Sequence, residues 1–163
     1  MEDNNIENDL IKSVVKINDS QKNQPFKYLQ SRIESTKNLK VGILGLSFKP
    51  NTDDVRESPA IFLIKNLIES GATVTAYDPF ANERAKEAML NKPYPHFTES
   101  IKECIYGTNI VFVMHTWKEI DNVDWACVNK VMQSPKIIYD GRNSLDPDLI
   151  RSHNFEYVSI GKR

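Results

Sequence analysis

From Lys40 onward the chain alternates short apolar runs with amphipathic segments, and that alternation restricts the fold more than any other feature. Val41 to Leu46, Ala72 to Pro79 (ended by its Asp-Pro turn), Asn109 to His115, Lys136 to Asp140 and Phe155 to Ile160 are rich in Val, Ile, Phe and Tyr and read as strands, with a short one at Phe97 to Glu99. Pro59 to Ser70, Asn82 to Leu90, Ser100 to Tyr106, Asp124 to Met132 and Asp146 to His153 read as the intervening helices. Ser58 and Pro59 form a helix start, and Gly71 a left-handed stop. The run at Asn109 to His115 is the most apolar and is expected at the centre of the sheet. Strands separated by helices of roughly 10 residues require right-handed crossovers. The expected class is therefore α/β: a Rossmann-like, doubly wound, mostly parallel sheet.

Ahead of this pattern, Ile6, Leu10, Val14, Ile17, Phe26, Leu29 and Ile33 recur at helical spacing, with Pro25 set to kink the helix or begin a second one. A stripe this isolated has to pack on its own domain or on another chain. Residues 1–37 thus read as a helical lead-in, and 38–163 as the Rossmann-like domain.

The 163 residues, 40% hydrophobic and 26% charged, are ordinary for a globular chain, and a net charge of -1 offers no field to attract nucleic acid or an anionic membrane surface. No apolar run nears the roughly 20 residues of a membrane span. The acidic amino terminus is unlike a secretory signal, and two isolated cysteines suit a reducing cytoplasm, which is the expected location. Cys104 and Cys127 stand apart, with no CxxC pair and no neighbouring histidine; neither a disulfide nor a metal site is expected, and both thiols read as core.

Loops that follow parallel strands are where open α/β sheets hold ligands. The first such loop carries Phe48, Lys49, Asp53, Asp54 and Arg56. Lysine can meet a phosphate and an adjacent aromatic can stack on a base or sugar; a solvated lysine beside a core phenylalanine is the plain alternative. Arg56 can grip a phosphate through its planar fork or close an ion pair with Asp53 or Asp54, and those aspartates can also bind the loop's own amides. Gly42-x-x-Gly45 lacks the third glycine of a dinucleotide fingerprint. Asp78 sits where such folds hold a ribose, yet Pro79 also suits a turn aspartate. Arg142, in Asp140-Gly-Arg-Asn143, follows a later strand, so Lys49, Arg56 and Arg142 can converge on one edge of a parallel sheet and take a ligand with two or more negative charges, such as a nucleoside diphosphate. His115 lies on the same edge without a triad partner and reads as structural or cleft-lining.

The segment Gly45-Leu-Ser-Phe-Lys-Pro-Asn-Thr-Asp-Asp-Val-Arg-Glu-Ser-Pro-Ala60 resembles the signature of nucleotide-sugar dehydrogenases that oxidise UDP-glucose, GDP-mannose and their relatives. Tyr77-Asp-Pro79, Thr116-Trp117, Asp140-Gly-Arg-Asn143 and Tyr157-Val-Ser-Ile-Gly161 follow in the family's order, and Val14-Val-Lys-Ile-Asn-Asp-Ser-Gln21 is similar to the helix joining that family's two halves. The Asp-Gly-Arg-Asn segment and the ending Ser-Ile-Gly-Lys-Arg favour the UDP-glucose 6-dehydrogenase branch. The resemblance implies that Phe48, Lys49 and Arg142 contact a UDP-sugar, that Arg56 touches NAD held mainly by another domain, and that the amino-terminal helix forms a homodimer. Two family features have no counterpart here: the glycine-rich NAD domain and the Gly-Gly-x-Cys nucleophile segment. The chain thus resembles the carboxyl-terminal, UDP-sugar-binding third of an NAD-dependent four-electron dehydrogenase, a cut piece or a truncated gene product with no catalytic residue of its own and inert alone. A non-catalytic binding or dimerisation module, or a domain serving UDP-N-acetylmannosamine or GDP-mannose, are the alternatives.

Overall fold

The structure is a computed structural model that describes residues 9–49, 51–90 and 94–161. Ile6 of the expected stripe, Pro50 of the first loop, part of the expected break at Lys92 to Pro95, and Lys162 and Arg163 lie outside the described residues.

Six strands form one parallel sheet: β1 (Lys40–Leu44), β2 (Thr73–Tyr77), β3 (His96–Phe97), β4 (Ile110–Val113), β5 (Ile137–Asp140) and β6 (Glu156–Ser159). Their spatial order is β3-β2-β1-β4-β5-β6, the doubly wound arrangement the alternation predicts. The apolar run after Asn109 becomes β4, buried throughout, and pairs with β1 at the middle of the sheet. The order reverses between β1 and β4, so the loops leaving these strands diverge and open a crevice there.

Helices α3 (Pro59–Glu69), α4 (Asn82–Ala88), α5 (Ile101–Ile105), α7 (Trp125–Val131) and α8 (Pro147–Ser152) make the connections. The Ser58 hydroxyl accepts from Ala60 N–H, Pro59 opens α3, and Gly71, at φ 91°, ends the turn beyond it. One short helix, α6 (Lys118–Asp121), carries no periodic signal in the sequence; buried Ile120 anchors it. The sheet separates two apolar layers. One gathers Leu29, Ile43, Leu63, Ile64, Leu67 and Phe112; the other gathers Leu44, Ile105, Val111, Val113, Trp125 and Ile138.

The amino-terminal stripe is divided between two helices, α1 (Asp9–Lys22) and α2 (Gln24–Arg32), with Pro25 in the first turn of the second. Leu29 of α2 is fully buried in the sheet core, worth about 1.5–3 kcal/mol of apolar burial. The Tyr28 hydroxyl and the Arg32 guanidinium both donate to Glu156, fastening α2 across the edge strand. Helix α1 behaves differently: Ile11, Val14, Val15 and Ile17 are each more than half exposed.

Cys127 departs from the expectation that both thiols are core. Cys104 is fully buried, but Cys127 is exposed. On α7 the inward positions are Trp125 and Val128, three apart, and the helical phase turns the two residues between them, Ala126 and Cys127, to solvent.

Candidate functional site

At the carboxyl ends of the strands, a cleft of about 840 Å³ is lined by Phe48 and Arg56 from the loop after β1, by Met114 after β4, by Arg142 after β5, and by Asn18 and Lys22 of α1. Three of the four residues singled out in the sequence therefore border one cavity. The fourth, Lys49, is exposed and follows Phe48 directly, but it is not among the lining residues.

The loop after β1 is shaped by its own bonds. Phe48 N–H donates to the Asp54 carbonyl at 2.7 Å, folding the segment back on itself and holding Phe48 near Arg56. Arg56 grips Asp54 through two parallel bonds of 2.9 Å, and Asp54 also accepts from Arg56 N–H. The guanidinium holds that carboxyl down at about 2. Of the two readings open for Arg56, the ion pair is therefore present, with Asp54. Asp53 pairs with Arg84 of α4 instead. The Arg56 side chain remains 88% exposed, so its outer face stays accessible to an anion. Glu57 pairs with Lys22, bringing the end of α1 against this loop.

Gly45 makes the crevice possible. Its φ is 93°, and a Cβ there would stand 2.3 Å from Cβ of His115, so only glycine lets the exits of β1 and β4 touch. His115 is buried beneath that contact. Its Nδ1 accepts from Thr116 N–H at 2.7 Å, assigning the ring proton to Nε2, which has no hydrogen-bond partner among the described residues. Burial pushes its pKa down. His115 is not among the residues that line this cleft.

Two aspartates do more than the sequence reading assigned. Asp78, at the end of β2, is 3% exposed and accepts backbone amides from both the loop after β1 and its own turn. A turn role holds, and no carboxylate oxygen is left for a ribose. Asp140, fully buried at the end of β5, accepts from Arg142 N–H, Ser144 N–H, Leu145 N–H and the Tyr157 hydroxyl. It sets the turn that presents Arg142. Asn18, Lys22 and Met114 were missed as cleft residues because periodicity reports only that a helix or strand packs, not what its polar face borders. Among the described residues no group of His, Cys, Asp and Glu could hold a metal ion.

Residues 42–147 match the model of the UDP-glucose/GDP-mannose dehydrogenase family, UDP binding domain. The chain is 34% identical over 161 residues to a UDP-glucose 6-dehydrogenase of Bacillus subtilis, covering 98% of this chain and 36% of that protein. It is 35% identical over 130 residues to a UDP-glucose 6-dehydrogenase of Rickettsia bellii, covering 80% of this chain and 30% of the other. Among solved structures, a UDP-glucose dehydrogenase from Pyrobaculum islandicum superposes with a TM-score of 0.71 at 28% identity, covering 91% of this chain and 31% of that one. The chain spans about a third of the length of these relatives.

Proposed function

The chain belongs to the UDP-glucose/GDP-mannose dehydrogenase family, and on that premise we propose that it is the nucleotide-sugar-binding domain of an NAD-dependent UDP-glucose 6-dehydrogenase. The observation that carries this is the convergence of Phe48, Arg56 and Arg142 on one cleft beside the strand reversal, although they lie on separate loops. Phe48, 43% exposed, offers a ring on which a uracil or ribose can rest, Arg142 a planar fork for a phosphate, and exposed Lys49 beside Phe48 a flexible point charge. The diphosphate is bound by charge and the base by stacking, which orients the sugar outward from the sheet.

The family's nicotinamide cofactor supplies the hydride acceptor, and the residues here fit only an outer contact with it. Arg56 is exposed enough to reach a phosphate of NAD, but the first turn has no free amides to seat its pyrophosphate. Neither thiol suits covalent capture of an aldehyde: burial pushes Cys104 up to about 12, and Asp124 raises Cys127. The 163 residues alone are therefore expected not to reduce NAD when given UDP-glucose. The exposed apolar face of α1 fits a homodimer contact, as the resemblance implies.

Titration with UDP, GDP and UDP-glucose, followed through backbone amide shifts, tests this reading. UDP alone should move Phe48, Lys49 and Arg142, with a dissociation constant of about a millimolar, the affinity expected of a few contacts in an open cleft. Silence at all three residues would remove the assignment.

A further inference from the structure

Leu46 and Ser47 follow β1 at the point where the strand order reverses. In a doubly wound fold that takes a dinucleotide, a phosphate lies against the backbone amides of this first turn. Here those amides are already occupied. Oδ2 of Asp78 accepts from Leu46 N–H at 2.8 Å and from Ser47 N–H at 3.1 Å. Its Oδ1 accepts from Phe80 N–H at 2.9 Å and from Ala81 N–H at 3.0 Å. No salt bridge reaches Asp78 among the described residues, so the buried charge is held by peptide dipoles, as a bound oxyanion is held in a backbone nest.

We propose that Asp78 is a built-in anion. Its carboxylate fills the amide site at the strand reversal, closes the first turn to any external phosphate, and leaves a nucleoside diphosphate only the outer cleft of Phe48 and Arg142.

Two independent features agree. Helix α3 starts only at Pro59, after a long loop, so no helix amino terminus stands at the turn to draw in a phosphate. Gly45 packs so closely on His115 that no Cβ would fit between them, so the turn cannot shift toward β4 to make room for a second anion. The closing role stands on the Asp78 geometry alone, while the steering of the diphosphate rests on the function proposed above.

The test uses the 163-residue chain and its Asp78→Ala variant, titrated with formate and with inorganic phosphate while backbone amide shifts and hydrogen exchange are recorded. In the wild type neither anion should move Leu46, Ser47, Phe80 or Ala81. In the variant, formate should shift all four saturably toward their wild-type positions and restore the exchange protection lost with the carboxylate. A folded variant on which formate and phosphate have no saturable effect at these amides overturns the proposal. Asp78→Asn guards against an alanine variant that fails to fold. Its single carboxamide oxygen can serve one loop but not both, so one amide pair should exchange about tenfold faster while the other stays protected. Both pairs protected as in the wild type would likewise overturn it. UDP added to the wild type separates the two claims. Shifts at Leu46 and Ser47 as large as those at Phe48 and Arg142 refute the steering, whereas silence throughout removes the cleft assignment and leaves the formate experiment to decide the closing role.

Discussion

The Nε–H of Arg142 donates to the Met114 carbonyl at 2.8 Å, tying the loop after β5 to the exit of β4. That bond fixes the stem of the side chain against the cleft wall. Among the described residues the two terminal amino groups of the guanidinium make no hydrogen bond, so they are available to a phosphate. Arg142→Ala should therefore weaken UDP binding about ten- to a hundredfold, the range for a charge-assisted bond. Arg142→Lys should recover only part of it, since a lysine keeps the charge and loses the fork. Calorimetric or amide-shift titration measures both, and equal affinity in all three proteins would exclude the arginine from the site.

Gly45→Ala should destabilise the fold by about 2 kcal/mol or more, because it combines a strained left-handed backbone with direct overlap on His115. Urea unfolding of wild type and variant gives the difference. A change within a few tenths of a kcal/mol would mean that the exits of β1 and β4 do not touch.

Asp140→Ala removes the acceptor for Arg142, Ser144 and Leu145 amides and for the Tyr157 hydroxyl, all at a fully buried position. A loss of about 3 kcal/mol or more is expected, since several buried donors are left unsatisfied together. Tyr157→Phe, which leaves the three amide bonds intact, should cost only about 1 kcal/mol. If the two variants are equally stable, the carboxylate does not organise the turn.

Stability should depend on pH on both sides of neutrality. His115 has its pKa lowered from 6.5 by burial, so in acid the unfolded chain takes up the proton first. The contribution of the neutral ring is present above 6.5 and lost as pH falls through the lower folded value. On the alkaline side Tyr157 is pushed from 10.0 up to about 12 by burial and its bond to Asp140. The unfolded chain then loses that proton first, so stability holds below 10.0 and declines as pH rises toward 12. Thermal midpoints across pH, compared with those of His115→Asn and Tyr157→Phe, isolate each slope. A variant with an unchanged profile would acquit its residue.

Helix α1 presents Ile11, Val14, Val15 and Ile17 to solvent, an apolar stripe that mass action should cover with a second copy of the chain. Sedimentation of the wild type should show self-association at micromolar to millimolar concentration, and Val14→Glu with Ile17→Glu should abolish it without unfolding the sheet. A concentration-independent monomer in the wild type would contradict the dimer reading.

Much of this molecule was readable before any coordinates. The strand and helix order, the central place of the run after Asn109, the Ser58 start and the Gly71 stop all follow from periodicity and local backbone chemistry, which act over a few residues. The first loop and the shared edge of a parallel sheet likewise pointed to Phe48, Arg56 and Arg142, which border one cleft, and to Lys49, which is not among its lining residues. Other features depend on which residues meet across long separations. Asp78 reaching Leu46 and Ser47 and Gly45 pressing on His115 are such cases, as is Asp53 pairing with Arg84 of α4 and so leaving Asp54 to Arg56. The sequence alone determined the elements and the chemistry carried on their loops. Only the tertiary structure decided which buried amides a carboxylate would fill and which cations would share a cleft, because those pairings arise when a twisted parallel sheet brings the ends of distant strands to one edge.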